Sequence, residues 1–193
     1  MSRERHAAQD ISYAHSAESK RGQIVIKLLE NATGRLTLIK RARGYQDEVA
    51  QGRDFWQVMV ERYGLSLDVV GGSIDHIPKT GPVILIANHP YGILDGIMLG
   101  HILSSVRGDF RILAHKVFQK SDELNRSILP VSFDDTKQAM RDNIHTRRQA
   151  LDFLADGGAI GIFPGGTVST ARTLFAKPID LSWCTFTARM IAR

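Results

Sequence analysis

The segment VILIANHPYGILDG, residues 83–96, decides the fold of this chain. Its first five residues form the continuous apolar run of a strand buried on both faces. A polar loop follows, and the apolar spacing of residues 95–106 then predicts a helix. Strand, loop and helix in this order are the start of an α/β unit, so the rest of the chain is examined for repetitions of it.

Further strands and helices follow in alternation. The apolar runs at 110–114, 128–133 and 159–163 predict strands, and 136–156 predicts a long helix that a glycine pair ends. An alternating stretch at 65–69 predicts one more strand before the decisive segment. We therefore expect an α/β domain with a mostly parallel, mixed sheet flanked by helices. The expected inward stripe of the long helix is Met140, Ile144, Arg147, Leu151 and Leu154.

The chain is predicted to have three parts before any chemistry is considered. Residues 1–20 are polar and without period, as in a mobile arm. Residues 21–63 read as a basic, amphipathic helical extension with helices at 23–30 and 45–63, separated by a break at 31–34. Residues 64–193 form the α/β domain. Its last predicted element is a helix at 181–191, whose apolar residues are Trp183, Phe186, Ala188 and Ile191.

Composition excludes several classes of protein. The 193 residues are 43% apolar and 23% charged, enough for one domain with a core. The longest uncharged stretches, at 81–94 and 157–171, are shorter than the roughly 18 residues of a spanning helix and are broken by Gly and Pro. The single cysteine, Cys184, excludes an internal disulfide, and no secretory signal opens the chain. These features predict a cytoplasmic protein.

The net charge of +5 is concentrated in one place. Residues 20–43 carry seven basic side chains against the single acid Glu30, so the remainder is nearly neutral. The basic residues lie among Ile, Val and Leu rather than exposed aromatic residues, which favours an anionic membrane surface over nucleic acid. An ordinary amphipathic helix with a solvated basic face is the alternative.

The loop at 88–95 carries the first candidate site. His89 follows Asn88 at a strand end, Gly92 permits a sharp reversal, and Asp95 comes six residues after the histidine. His89 and Asp95 can meet only if the histidine lies on the loop and the aspartate opens the next helix. A carboxylate would then hold one imidazole nitrogen and leave the other as a general base. The alternatives are a structural histidine and a capping aspartate.

The segment GIFPGGTVST, residues 161–170, carries the second candidate site. A glycine pair and hydroxyls after a buried strand can present donors to a phosphate or an oxyanion. The same residues also suit a simple tight turn. The segment is accompanied by no nucleophilic serine motif, no nucleotide P-loop and no second histidine spaced for a metal. We therefore expect a hydroxyl or amine of the substrate to be the nucleophile. We also expect no metal. The predicted binding residues of both segments are Asn88, Gly92, Phe163, Pro164, Gly165, Gly166, Thr167 and Ser169.

Together the two segments resemble the blocks of the glycerolipid acyltransferase superfamily, which includes the bacterial 1-acylglycerol-3-phosphate and lysophospholipid acyltransferases. Asn88, His89 and Asp95 match its Asn-His…Asp block with one extra residue, and Phe163, Pro164, Gly166, Thr167 and Ser169 match its Phe-Pro-Glu-Gly-Thr-Arg-Ser block. The His-Pro-x-Gly-x-x-Asp-Gly form looks like the divergent branch labelled hemolysin-like or ornithine-lipid-type. The resemblance covers residues 65–183 and implies a glycerol-3-phosphate-acyltransferase-like fold.

The resemblance also implies a reaction. An acyl group would pass from acyl-CoA or acyl-carrier protein, as co-substrate and without a cofactor, to a lysolipid hydroxyl or amine in phospholipid or other membrane-lipid biosynthesis. His89 would be the base and Asp95 would orient it. The protein is then expected on the inner face of the cytoplasmic membrane, with the lipid surface as its partner and no nucleic acid.

Three departures from the family pattern shape the expectation. Gly165 stands where the family has Glu, Val168 where it has Arg, and the strand at 128–133 lacks the arginine of the second block. We expect Arg126, Arg147 and Arg148 to be solvated rather than to replace it. The family continues through a Val-Pro strand after the third block, so residues 64–193 are expected to lack the C-terminal part of the domain. A catalytically incomplete, lipid-binding acyltransferase-like domain is the alternative function.

Overall fold

The computed structural model describes residues 35–119, 121–170, 177, 179–183 and 185–192. The predicted arm at 1–20 and helix at 23–30 lie outside these residues. The described chain divides into two compact units, one ending at Leu65 and the other beginning at Ser66. Among the described residues, no helix has both the length and the apolar character that crossing a membrane requires.

Residues 35–65, the described part of the first unit, contain three short helices: α1 (Arg35–Ala42), α2 (Tyr45–Ala50) and α3 (Phe55–Tyr63). The prediction of one helix over 45–63 is wrong, because Gly52 adopts a left-handed conformation and Asp54 caps a new helix by accepting from the Gln57 amide at 2.8 Å. The buried side chains of α3 are Phe55, Trp56, Val58, Met59, Val60 and Tyr63.

Two arginines join the helices of the first unit. Arg41 donates to the Tyr63 carbonyl at 2.6 Å, and Arg62 donates to the Gly44 carbonyl at 3.0 Å and to the carboxylate of Glu48. Lys40, Arg41 and Arg43 are all exposed, and the guanidinium of Arg41 is in addition bonded within the unit. The interpretation of the basic stretch as a membrane contact stays a prediction.

The second unit is built on a four-stranded parallel sheet. Its strands are β1 (Val83–Ile86), β2 (Phe110–His115), β3 (Ile128–Val131) and β4 (Ala159–Ile162), in the order β1-β4-β2-β3. The helices are α4 (Ile93–Val106), α5 (Asp122–Ser127), α6 (Lys137–Ala155) and α7 (Thr185–Ile191). The α/β prediction is therefore confirmed.

Helices cover both faces of the sheet. Alternate residues of β4 point to opposite sides, and Ile160 and Ile162 pack with the α6 residue Leu154 in the main core cluster. A side-chain carbon at Gly161, between them, would lie 2.9 Å from Leu99 of α4. Glycine at this position therefore allows α4 to approach β4 closely.

Three predictions in this unit are wrong in detail, and one helix was not predicted. Residues 65–69 form no strand, because no neighbouring strand of the described chain pairs with them, and Val70 beside them is 95% exposed. The α6 stripe is shifted, since Met140 and Ile144 are exposed and the buried positions are Ala139, Thr146, Ala150 and Leu154. The closing helix begins at Thr185, after an irregular stretch. Helix α5, with its Ser121 cap and acidic first turn, was not predicted.

Candidate active site

The two candidate segments follow β1 and β4, which are neighbouring strands of the sheet. Parallel strands end at the same edge, so both segments meet there, where open α/β sheets bind ligands. The imidazole of His89 stacks on the ring of Phe163, with centroids 4.1 Å apart and planes 24° apart. The contact joins the two segments directly.

His89 and Asp95 meet in the geometry that their spacing requires. His89 lies on the loop, Asp95 lies in the first turn of α4, and Nδ1 of the histidine is 3.1 Å from Oδ2 of the aspartate. The same Oδ2 accepts the Tyr91 backbone N–H at 2.7 Å. Gly92, at φ 62° and ψ −123°, is the N-cap of α4 and makes the sharp reversal. Asp95 is therefore not the helix cap.

Burial shapes the protonation of this pair. Most of the His89 and Asp95 side-chain surface is inaccessible to solvent. Burial lowers the pKa of His89, although the charge of Asp95 opposes this shift. Burial also raises the pKa of Asp95, opposed by the hydrogen bond from Tyr91. The imidazole is consequently neutral at pH 7, and an Nδ1–H donated to Asp95 leaves Nε2 as a proton acceptor.

The second segment uses several of its donors within the chain. The Gly166 N–H donates to the Phe163 carbonyl at 2.9 Å, and the Ser169 N–H donates to the His89 carbonyl at 2.8 Å. The Ser169 hydroxyl donates to the carboxylate of Asp180, and the serine is buried. The segment thus combines a tight turn with a contact to the histidine loop.

The remaining predicted residues differ in their placement. Pro164 is fully buried, Gly165 and Gly92 are largely shielded, and Asn88 and Thr167 are exposed at the edge of the site. Arg126, Arg147 and Arg148 are all exposed, as expected, and Cζ of Arg147 lies 5.2 Å from the centre of the Phe186 ring. The described residues contain no group of three or more His, Cys, Asp or Glu that could hold a metal ion.

Asp180 is the site residue that sequence reasoning missed. Its Oδ1 accepts the His89 backbone N–H at 3.2 Å across 91 positions of sequence. A lone aspartate in the apolar stretch after the third block gave no pattern that marked it.

Comparison with known proteins identifies the class that this arrangement defines. The Acyltransferase family model matches residues 70–186, more than half of the chain, so the chain belongs to that family. It is also 26% identical, over 133 residues, to the lyso-glycine lipid O-acyltransferase of Phocaeicola vulgatus. The match covers 68% of this chain and 44% of that relative, so the chain spans less than half of the relative's length. The family match confirms the resemblance to acyltransferases that the sequence predicts.

Proposed function

We propose that the chain transfers an acyl group from acyl-CoA or acyl-carrier protein to a hydroxyl of a lysolipid, with His89 as general base and Asp95 as its orienting partner. The observation that carries the proposal is the His89–Asp95 pair on the carboxyl edge of the parallel sheet, partly buried and stacked on Phe163. An amine acceptor would use the same geometry.

The reaction balances with the residues present. Nε2 of His89 takes the proton of the acceptor hydroxyl as its oxygen attacks the thioester carbonyl. The tetrahedral intermediate then collapses, the C–S bond breaks, and the imidazolium returns the proton to the leaving thiolate. The Asp95 carboxylate stabilises the imidazolium between these steps and fixes the tautomer beforehand. Products are the acylated lipid and the free thiol of the donor.

Large exposed apolar side chains around the site support a lipid acceptor. Tyr91, four residues before Asp95, is 74% exposed, and Leu181, next to Asp180, is 56% exposed. Phe133 is also exposed, and its ring lies 3.9 Å from where a side-chain carbon on Gly166 would be. Exposed apolar groups next to residues of the site suit an acyl chain or a membrane surface.

The charges of the described site favour an acceptor without a phosphate monoester. The family that the chain resembles has arginine where this chain has Val168, which supplies no cation. Strand β3 leads into Phe133 and Asp134, which supply none either. Lys116, after β2, is paired with Asp134. The named relative acts on a lyso-glycine lipid, which agrees with this interpretation. We therefore place lyso-glycine lipid ahead of lysophosphatidic acid as the acceptor.

The function is tested by radiolabelled acyl transfer with the full 193-residue chain. Acyl-CoA and acyl-carrier protein are supplied as donors, with lyso-glycine lipid and lysophosphatidic acid as competing acceptors. His89→Ala should lower the turnover about 10²- to 10⁴-fold. Asp95→Asn should also reduce it strongly, since Asn cannot stabilise the imidazolium. His145→Ala, on the exposed surface of α6, is the matched control and should keep full activity.

Two outcomes would contradict the proposal. Undiminished transfer by the His89→Ala variant would show that this histidine is not the base. A chain that binds lysolipid vesicles but transfers no acyl group from either donor would instead support a catalytically incomplete lipid-binding domain.

A further inference from the structure

Asp180 holds the backbone of the histidine loop from outside both family blocks. Its Oδ1 accepts the backbone N–H of His89 at 3.2 Å and the hydroxyl hydrogen of Ser169. Ser169 in turn donates its own N–H to the His89 carbonyl at 2.8 Å. The N–H and the C=O of His89 are therefore both bound, and both partners belong to one Ser169–Asp180 pair.

The pair is held together by backbone contacts as well. Thr170 and Ile179, the neighbours of the two residues, form an antiparallel bridge with N–H···O distances of 3.2 and 3.1 Å. This bridge brings Asp180 beside Ser169 although eleven positions separate them. This single antiparallel bridge thus holds the Asp180 carboxylate close to the loop that carries His89.

Gly165 makes the space that Asp180 occupies. A side-chain carbon at Gly165 would lie 3.3 Å from Cβ and 3.5 Å from Cγ of Asp180, and 3.5 Å from the Leu181 nitrogen. The first distance is tighter than ordinary van der Waals contact, so any larger residue would press against the aspartate. The family that the chain resembles has glutamate at this position. This chain has glycine there, which leaves room for the carboxylate of Asp180.

We propose that Asp180, together with Ser169, is a positioning residue of the acyl transfer reaction, which fixes the His89 backbone so that the imidazole faces the acceptor. The proposal rests on the proposed role of His89 as the base. Asp180 itself would touch neither acceptor nor donor.

Electrostatics supports the same role. The hydrogen bond from Ser169 lowers the pKa of Asp180, and those from the His89 amide and Trp183 add to this effect. Asp180 is therefore a carboxylate at neutral pH. In the described structure Asp95 and Asp180 are the charged groups that raise the pKa of His89 against the lowering effect of burial. Removing the charge of Asp180 should lower the pKa of His89 further.

The first experiment measures this shift without any activity. The pKa of His89 is followed by NMR titration of its imidazole C–H signal, assigned with His89→Ala, in the wild type and in Asp180→Asn. Asn keeps an oxygen acceptor for the two donors and removes only the charge. We expect a lower pKa in Asp180→Asn and no change in Asp109→Asn, an exposed carboxylate before β2 at the opposite edge of the sheet. An unchanged pKa in both Asp180→Asn and Asp180→Ala, the second of which also loses the hydrogen bonds, would overturn the proposal.

The second experiment separates positioning from folding. Asp180→Ala removes the acceptor, and Gly165→Ala displaces it while every polar group remains. Each should reduce kcat for lyso-glycine lipid about 10²-fold, with little change in KM, because a small misplacement of the base affects the transition state most. Asp180→Asn should recover part of the loss. Folding is checked by thermal melting, and a folded Asp180→Ala variant with wild-type kcat would refute the proposal.

Failure here is distinguishable from failure of the proposed function. If the wild type transfers no acyl group, the titration alone decides whether Asp180 acts on His89. If the wild type is active and His89→Ala is not, the kinetic comparison decides the role of Asp180 independently.

Discussion

His89 and Asp95 show how much two residues and their spacing can determine. Six positions of a continuous helix would place them about 120° apart around its axis, so a contact requires one on the loop and the other in the first turn. The structure has this arrangement, with Gly92 at a positive φ between them. Asp180 shows the opposite case, because its contact with His89 spans 91 positions and no local pattern encodes it.

The pH dependence of the reaction follows from the histidine. Burial lowers the pKa of His89 from its ordinary value near 6.5, so the neutral base is present at and above neutral pH. We expect kcat/KM to be constant near pH 7 and to fall with decreasing pH, with a midpoint below 6.5. In Asp95→Asn the plateau of kcat/KM should drop. The midpoint of its pH dependence should move to lower pH, since the charge of Asp95, which raises the pKa of His89, is lost. A midpoint above 6.5 in the wild type would contradict this prediction.

The same shift has a sign for stability. The unfolded chain binds a proton at His89 at a higher pH than the folded chain does. The contribution of His89 to the free energy of unfolding is thus fully present above pH 6.5. It is lost as the pH falls from that value toward the pKa of His89 in the folded chain.

At the scale of the element, helix ends are fixed by specific backbone positions. Helix α6 ends with the Gly157 N–H donating to the Leu154 carbonyl and the Gly158 N–H donating to the Phe153 carbonyl, both at 2.9 Å. Gly157 has a φ of 86°. This is the Schellman pattern, and the chain enters β4 directly after it.

Gly158→Ala should destabilise the second unit. A side-chain carbon there would lie 2.3 Å from the Phe153 ring and 2.6 Å from its carbonyl oxygen, so the backbone must shift. We expect a loss of about 1–3 kcal/mol in the free energy of unfolding, measured by urea denaturation. Gly71→Ala, with no atom within 4 Å, is the control and should change stability by less than about 0.5 kcal/mol. Equal effects of the two variants would show that the crowding is relieved without cost.

Arg107 secures the opposite end of the sheet. The arginine is buried after α4, and its guanidinium donates to the carbonyls of Pro78, Gly81 and Gly157 at 2.7, 2.9 and 2.6 Å. These carbonyls precede β1 and β4, so one side chain ties the starts of two strands to the end of a helix.

Arg107→Met should therefore lower the stability of the second unit by about 3 kcal/mol, because three backbone carbonyls lose a charged donor. Thermal or urea denaturation of the full chain measures the change. Arg141→Met, at an exposed position of α6, is the matched control. A difference of less than about 0.5 kcal/mol between the two variants would show that water replaces the guanidinium.

For the whole molecule, the distribution of charge predicts how the protein meets a membrane. The basic stretch at 20–43 carries a net charge of +6, and Arg41 within it is bonded to the Tyr63 carbonyl. Of the described residues in this stretch, Lys40 and Arg43 are exposed, and attraction to anionic lipids contributes about 1 kcal/mol per basic residue near the surface.

We expect the chain to cosediment with anionic vesicles at low salt and to be released as salt screens the attraction. Replacing Lys20, Lys27, Lys40 and Arg43 by Gln, with Arg41 retained, should weaken binding strongly. Replacing Lys137, Arg141 and Arg148 of α6 by Gln is the comparison and should have a smaller effect. Equal losses in both variants would favour the alternative of an amphipathic helix with a merely solvated basic face.

Particular strands and helices show where the sequence predicts the structure and where it does not. Residues 83–87 and 159–163 were predicted correctly as strands, because a continuous apolar run bounded by Gly and Pro leaves few other options. Only β4 is buried throughout, whereas β1 lies at the end of the strand order and is partly exposed, with Ile86 at 37%. Residues 65–69 have an equally regular alternation and form no strand, since pairing needs a neighbour that an alternating pattern cannot supply. The α6 stripe was misjudged because small residues, Ala139 and Ala150, face the sheet where the helix approaches closely.

By itself the sequence determined the α/β class, the strands and principal helices of the second unit, and the meeting of His89 with Asp95. These depend on local apolar patterning, glycine positions and helix geometry. Tertiary structure alone decided the strand order β1-β4-β2-β3, the role of Arg107 at one edge and the arrival of Asp180 at the other. Each depends on contacts between residues far apart in the chain, where the free energy of packing and of satisfying buried polar groups selects among arrangements that local sequence leaves equivalent.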